Sequence, residues 1–387
     1  MVRATILCAV GTRPEAIKLA PVITLLAAHP RLRPLVVSTG QHRELVTGAL
    51  ADFGLAADLD LGLMARAQRP VDLLAAALPH LADLCAAHRP AAVVVQGDTI
   101  SALAAAQAAT LSGTPLVHVE AGLRSGNVAA PFPEEHSRRL IAQLADRHFA
   151  PTAAARAHLL REGIADDSIE VTGNTGIDAL RLIEARIDGD AGLRARIAAT
   201  LPRLDVARPL LLVTAHRRES HGAALADVAR ALAELVEHDG VEVVLPVHPH
   251  PAVLAAFAPL ADLPHLHLVA PLPYPAFVWL LRQAALVLTD SGGIQEEAPA
   301  LGVPALVLRD VTERDEGLAS GNTRLVGTRT ASIIAAVRDL LSDRAGLRRM
   351  SEPTLPYGDG AAAPRIVAAL DRAYGSTAAR AEPFEYA

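Results

Sequence analysis

Aromatic residues are scarce in this chain. They make up 3% of its 387 residues, with a single tryptophan, so there is little surface on which the bases of a single strand would stack. Positive charge is also in short supply. The formal net charge of −6 has the wrong sign for a general DNA or RNA binder, and nucleic acid is not an expected partner. Only two cysteines occur, Cys8 in an apolar strand-like run and Cys85 in a helical one. Two such thiols exclude a disulfide-stapled scaffold and read as buried groups in a reducing compartment. Long apolar runs are missing too. The stretch TILCAV ends at Gly11 and Arg13, too short for a signal sequence, and no later segment reaches ~18 residues without a charge or a breaker. A cytoplasmic protein with no membrane partner is the expectation. No repeat of about 20–50 residues and no low-complexity block is present, which excludes solenoids and propellers.

What is abundant is apolar side chain, at 51%, enough for sizeable cores. The length calls for two domains or more, because single cores rarely grow past ~250–300 residues. Arginine far outnumbers lysine and alanine is plentiful, which reads as a high-GC genome. Short apolar runs alternate with longer amphipathic ones. TILCAV, PLVVST, AAVVVQ and PLVHVE lack polar alternation and predict buried parallel strands, with helices over 15–28, 72–88 and 100–112 between them. A second series follows: PLLLVT, VEVVLPV, HLHLVA, AALVLT and PALVL. Two successive series predict an α/β fold of two Rossmann-like doubly wound domains, with about eleven strands in all, rather than one (β/α)8 barrel. The first series ends near VTGN (171–174). The stretch 185–208 reads as a helix and a loop, a last helix begins around Ala361, and the tail 376–387 is expected to fray.

Several strand-to-helix turns carry chemistry. DSGGIQEEAP (290–299) runs strand, two glycines, helix. The glycines let a ligand approach the backbone, and free N–H groups at a helix start suit a phosphate. Ser291 adds a hydroxyl donor. Glu296 or Glu297, about one turn further in, is placed to accept from ribose hydroxyls, as acidic groups do in other nucleotide folds. The competing reading is that Asp290 and Ser291 merely cap the helix. GTRPEAIKLAP (11–21) offers Arg13 and Lys18 to an anionic ligand, against a surface arginine and a snorkelling lysine. QGDT (96–99), HVEAGLRSG (118–126) and FPEEHSRR (132–139) place Asp98, Glu120 and Glu134 in loops on one rim of the first domain. Glu134 also suits a helix start for purely electrostatic reasons. Three carboxylates facing a phosphate make an acid–base constellation, and crowding raises one another's pKa. TAHRRES (214–220) supplies His216 and Arg217, and RDVTERDEGLASGNTRLVG (309–327) is a polar loop with Arg314, long enough to close over a site. The pair His248 and His250 in PVHPHP (246–251) has no matching Cys or carboxylate spacing, so no metal is expected.

Together these stretches closely resemble the non-hydrolysing UDP-N-acetylglucosamine 2-epimerases. The resemblance is carried by GTRPEAIKLAPV, TGQHRELV, GDT, HVEAGLRSG, FPEEHSRRLI, VTGNTGIDAL, TAHRRE, DSGGIQEEAPALGVP and TERDEG, in the family's order from residue 6 to about residue 330. It implies two Rossmann-like domains facing across a cleft, as in GT-B glycosyltransferases, with the final helix returning to the first domain. The implied bounds are 1–172 plus about 361–375, and 173–360. It implies a homodimer and no cofactor. It places UDP on the second domain: Ser291, Gly292 and Gly293 match the phosphate-binding turn, Glu297 the ribose ligand, and Phe277 a residue packing near uracil. His216 and Arg13 match diphosphate contacts, Arg314 another binding position, and Lys18, Asp98, Glu120 and Glu134 the catalytic residues of the first domain, with His216 also at the departing phosphate.

The family route eliminates UDP from C1 while a base takes the C2 proton, and re-adds it to 2-acetamidoglucal with the proton arriving on the other face. Asp98 is the expected first base, with Glu120 and Glu134 serving reprotonation and orientation. Bacterial members often carry a second, activating nucleotide-sugar site. Gln41, His42, Gln68 and His248 match its residues, but the loop reads ARAQRPV where Gln-Ser-Leu or Gln-Thr-Leu is usual, and Leu45 stands where methionine is common. The rivals are a hydrolysing 2-epimerase, which releases N-acetylmannosamine and UDP, and a GT-B glycosyltransferase, which needs an acceptor pocket rather than three acids against C2.

Overall fold

The apolar runs fold as strands covered on both faces, because helical crossovers coat both sides of a parallel sheet. The computed structural model describes residues 3–64, 69–129, 131–217 and 222–375. The chain divides into two units, Met1–Arg181 with Tyr357–Ala387, and Leu182–Pro356. In the first unit the strands are β1 (Ala4–Val10), β2 (Leu32–Ser38), β3 (Leu59–Asp60), β4 (Ala92–Gln96), β5 (Leu116–Val119), β6 (Arg147–Ala150) and β7 (Ile169–Val171). They form one sheet in the order β3-β2-β1-β4-β5-β6-β7, and every pairing is parallel.

The second unit holds β8 (Leu210–Thr214), β9 (Glu242–Pro246), β10 (Leu266–Val269), β11 (Leu286–Thr289), β12 (Ala305–Val307) and β13 (Thr323–Leu325). Their order is β10-β9-β8-β11-β12-β13, again wholly parallel. Both sheets are thus doubly wound. Each reverses its strand order once, between β1 and β4 in the first and between β8 and β11 in the second. The loops leaving those strands flank the crevice where such sheets take ligands. The described strands number thirteen rather than about eleven. Edge strands such as Leu59–Asp60 and Thr323–Leu325 are two or three residues long, too short to leave a periodic signal.

Packing follows from side-chain size. Helix Ile100–Leu111 buries Ala102, Ala104, Ala105, Ala106, Ala108 and Ala109. It lies between helices Pro70–His88 and Glu134–Leu144, and alanine lets three helices approach over one sheet face. Helix Pro70–His88 is, by length and composition, apolar enough to cross a membrane. Its buried residues Leu73, Ala77, Leu81 and Cys85 recur every fourth position, the stripe of a helix laid on a core.

The divide between units falls at Arg181 and Leu182, and again at Pro356 and Tyr357, whereas the sequence placed it after 172 and after 360. Hydrogen bonds explain the shift. The Asn174 N–H donates to the Tyr357 carbonyl at 2.6 Å. The Asp178 carboxylate accepts from the Ala362 and Ala363 N–H groups at 3.2 and 2.8 Å. It thereby caps helix Ala362–Tyr374, which packs on helix Arg13–Ala28. The start of helix Thr175–Gly189 therefore stays with the first unit. The stretch 185–208 holds two helix segments instead of one, because Asp190 starts a new helix by accepting from the Leu193 N–H at 2.9 Å. The tail 376–387 lies outside the described residues.

Candidate active site

At the reversal point of the first sheet, β1 delivers Gly11 and then helix Arg13–Ala28. A Cβ on Gly11 would sit 2.0 Å from Ser101 Oγ, so only glycine lets the two loops meet. Arg13 opens that helix and is half-buried. Lys18 is 6% exposed and its ammonium forms an ion pair with Glu120, at the end of β5. Asn174 Nδ2 donates to the same Glu120 oxygen at 2.9 Å. Glu120 has φ 65°, a left-handed conformation that costs a non-glycine residue about 1–3 kcal/mol and is tolerated where surrounding contacts fix it.

Asp98 follows β4. Arg138 Nε donates to its Oδ2 at 2.9 Å, and a second guanidinium nitrogen reaches the same oxygen. Arg138 belongs to helix Glu134–Leu144. Glu135, fully buried, lies 3.3 Å from Arg138 and also takes Arg139 at 3.1 Å and the Ser125 N–H at 3.0 Å. Glu134 is half-buried one turn before Arg138 on the same helix. Gly97 adopts φ 70°, and its carbonyl accepts from His118 Nε2 at 2.8 Å. Burial pushes His118 down to about 3, so the ring is neutral and its one proton sits on the nitrogen facing that carbonyl.

Glu15 is 1% exposed. Its Oε2 accepts the Gly11 and Thr12 N–H groups at 3.1 and 2.7 Å, and its Oε1 accepts the Thr99 hydroxyl at 2.8 Å. Burial outweighs these hydrogen bonds and pushes the carboxyl up to about 7. The folded protein therefore binds a proton that the unfolded chain, with the ordinary value of 4.5, releases earlier. Between those two values the native state holds more protons, so stability falls as pH rises through the window. Glu15→Gln removes the ionisation. Unfolding followed in denaturant at pH 5 and pH 8 is expected to show wild type losing up to about 3 kcal/mol relative to the variant. Parallel behaviour at both pH values would show that the carboxyl is not perturbed.

The loop after β2 lies against the same turn. Gln41 Oε1 accepts from Ser101 Oγ at 2.7 Å, and the His42 N–H donates to the Gly11 carbonyl at 3.0 Å. Burial lowers the pKa of His42. His248 belongs to the second unit, where its ring stacks on His216 with centroids 5.7 Å apart and planes at 11°. Gln68 lies outside the described residues.

At the reversal point of the second sheet, Asp290 and Ser291 follow β11. Neither side chain caps the helix Gly292–Ala300. Asp290, 1% exposed, turns across the sheet and accepts the His216 and Arg217 N–H groups at 2.7 and 2.8 Å. It thereby fixes the turn after β8, with its other oxygen 3.4 Å from His216 Nδ1. Ser291 occupies the N-cap position but makes no side-chain cap hydrogen bond. The two glycines differ in what a side chain there would meet. A Cβ on Gly292 would lie 2.6 Å from the Arg314 guanidinium, whereas on Gly293 it would meet only Ser291 Oγ, at 4.0 Å. Gly292 makes room for Arg314, and Gly293 leaves the helix start open.

Arg314 is 6% exposed. It donates to Glu296 Oε1 from Nε at 3.1 Å and from a second nitrogen at 2.9 Å, and it pairs with Glu313. Glu313 also takes Arg309 at 2.9 Å and lies 3.5 Å from Arg217. Glu296 is thus committed inside the protein. Its neighbour Glu297 is also buried, and its Oε1 accepts the Tyr274 hydroxyl at 3.0 Å. Tyr274 begins the helix Tyr274–Leu281 that carries half-buried Phe277.

Sequence reasoning passed over Glu15, Asn174 and Arg138, and read Glu135 only as an acidic residue at a helix start. Three of these had a readable signal. Thr12 and Glu15 stand at capping-box spacing, and Glu135 precedes Arg138 and Arg139 by three and four residues, the spacing of helical ion pairs. Asn174 had none.

The comparisons with known proteins agree with this architecture. The family model for UDP-N-acetylglucosamine 2-epimerase matches residues 24–371. A UDP-N-acetylglucosamine 2-epimerase of Escherichia coli (strain K12) is 43% identical over 367 residues, covering 94% of this chain and 98% of its own. The crystal structure of a UDP-GlcNAc 2-epimerase from Neisseria meningitidis bound to UDP-GlcNAc superposes with a TM-score of 0.92 at 38% identity, covering 95% of this chain and all of its own. A spinosyn rhamnosyltransferase, at 18% identity and a TM-score of 0.58, shares the fold alone. The chain belongs to the UDP-N-acetylglucosamine 2-epimerase family.

Proposed function

We propose that this protein interconverts UDP-N-acetylglucosamine and UDP-N-acetylmannosamine by eliminating and re-adding UDP, without net hydrolysis. The observation that carries the reading is the pair of carboxylates Asp98 and Glu120. They sit on loops after neighbouring strands of one sheet, each oriented by a basic side chain of the same unit. The hydrogen on C2 has no adjacent carbonyl, so simple deprotonation is too difficult. Breaking the C1–O bond as the proton leaves solves that problem. The C–H electron pair becomes the C1=C2 bond of 2-acetamidoglucal, and the C–O pair departs on the β-phosphate of UDP. In the return step the phosphate oxygen attacks C1, and a proton is delivered to the opposite face of C2.

Each unit supplies one half of these demands. In the second unit Ser291, the open helix start at Gly293, and His216 on the turn fixed by Asp290 suit a diphosphate whose charge grows as it leaves. Glu297 serves the ribose and Phe277 lies on the uracil side. Arg314 acts from beneath, holding the loop 309–314 to the same helix. In the first unit Asp98, Glu120 and Glu134 carry the protons, Lys18 holds Glu120, and Arg13 opens the neighbouring helix as a further anion-binding candidate. Gln41, His42 and His248 remain the candidates for an activating second nucleotide sugar, and a sigmoid dependence of rate on UDP-N-acetylglucosamine tests them.

The main test uses the purified protein with UDP-N-acetylglucosamine in D2O, followed by NMR. The expected outcome is UDP-N-acetylmannosamine carrying deuterium at C2. Free N-acetylmannosamine beside UDP would instead identify a hydrolysing enzyme, and an unlabelled manno product would exclude proton exchange at C2.

A further inference from the structure

We propose that Glu15 is a positioning residue for the reaction, locking the turn that carries Arg13 and Lys18 to the turn that carries Asp98. The assignment rests on the epimerase reading above. Its basis is the way one carboxylate is shared. Oε2 gathers the N–H groups of Gly11 and Thr12, after β1, and Oε1 takes the hydroxyl of Thr99, after β4. Those two strands are neighbours at the point where the sheet reverses its order. Lys18 stands one helical turn beyond Glu15, and Asp98 immediately precedes Thr99. The carboxylate therefore lies between the two ion pairs of the site, Lys18 with Glu120 and Arg138 with Asp98.

A helix-capping role alone does not account for the arrangement. A capping glutamate needs only its own turn, and the surface supplies water to the other oxygen. Here the residue is buried and the second oxygen reaches a separate loop. Further contacts at the same spot show that its spacing is built. Ser101 Oγ bonds Thr39 Oγ1 at 2.8 Å and Gln41 Oε1 at 2.7 Å, and it fills the place where Gly11 would carry a Cβ. Three strand-end loops are thus stitched at one point. Burial of a carboxyl there is costly, and here both of its oxygens are hydrogen-bonded.

The chemistry also indicates which replacement preserves the function. Thr99 Oγ1 accepts the Ala102 N–H at 3.0 Å and has a second lone pair. A glutamine at 15 keeps an oxygen for the two N–H groups and turns its amide nitrogen to Thr99. An alanine frees the two turns from each other. Misplacing catalytic groups by a fraction of an ångström to an ångström costs turnover rather than ground-state binding.

The test compares wild type, Glu15→Ala, Glu15→Gln and Thr99→Val in the full chain, scoring kcat and KM for UDP-N-acetylglucosamine and Kd for UDP by calorimetry. Glu15→Ala is expected to lower kcat about 10–100-fold with KM and the UDP Kd within about threefold, and Glu15→Gln to retain kcat within about threefold. Thr99→Val cuts the cross-loop arm together with the Ala102 cap and is expected to lower kcat about tenfold; it decides the matter if Glu15→Ala does not fold. Thr152→Val controls for the lost helix cap, since Thr152 caps its own helix through the Ala155 N–H at 3.1 Å; it should lower Tm and leave kcat alone. The assignment is overturned if Thr99→Val turns over like wild type. It is overturned also if Glu15→Gln is as impaired as Glu15→Ala, or if kcat losses are matched by weaker UDP binding. A wild-type protein that does not epimerise removes the reading itself, and this assignment with it.

Discussion

Asp98→Asn is expected to lower epimerase turnover by roughly 10²–10⁴-fold while UDP binding changes little. The substitution keeps shape and keeps one oxygen for Arg138, whose Nε lies 2.9 Å from Asp98 Oδ2. What it removes is the ability to take a proton. Because Ser291, Gly293, His216 and Glu297, proposed to hold UDP, belong to the other unit of the chain, a loss confined to kcat is the signature of lost proton transfer. An equal loss in UDP affinity would instead point to a damaged fold. Carrying the reaction out in D2O adds a second readout. If Asp98 is the first base from the gluco side, the variant should fail to wash deuterium into recovered UDP-N-acetylglucosamine as well as into product. Near-normal exchange would remove Asp98 from the mechanism.

How much of this was legible depended on whether a residue's neighbours are local in sequence. AAVVVQ and AALVLT announced buried strands because unbroken apolar runs of that length have few other folds. The turns after them announced chemistry, because glycine beside a carboxylate or a hydroxyl is informative there. Helix Ile100–Leu111 was visible as a helix, but alanine on every side gave no hint of which face is buried, since nearly all of it is. DSGG gave no means of telling Gly292 from Gly293. The difference is Arg314, about twenty residues later, whose guanidinium fills one position and not the other. Asp290 looked like a helix cap and is a tie across the sheet to His216 and Arg217. Glu15 was part of a legible motif, but its burial and its bond to Thr99 come from tertiary structure. Asn174 read as a domain-end residue and turned out to touch Glu120.

Of the 36 lysines and arginines, a single residue is lysine, and it is Lys18. A genome bias that substitutes arginine wherever either cation will serve explains the other positions, and this one needs a physical reason. Lys18 is 6% exposed and paired with Glu120, whose same oxygen also takes the Asn174 amide. A compact ammonium fits such a place. A guanidinium is longer, planar and built to bind in a fork, so it would have to displace Glu120 or Asn174 in a packed interior. Lys18→Arg, conservative in charge, is therefore expected to reduce kcat by about 10²-fold or more while the protein remains folded. Steady-state kinetics with circular dichroism checks this, and an arginine variant within about tenfold of wild type would show that only the charge matters. The lone side-chain amine also gives a direct probe. Reductive methylation with ¹³C-formaldehyde should yield one ε-dimethylamine resonance beside that of the α-amine. Glu120→Gln should move that resonance if the two groups pair in solution, and a signal indifferent to Glu120 would break the link between this lysine and the proton-transfer machinery.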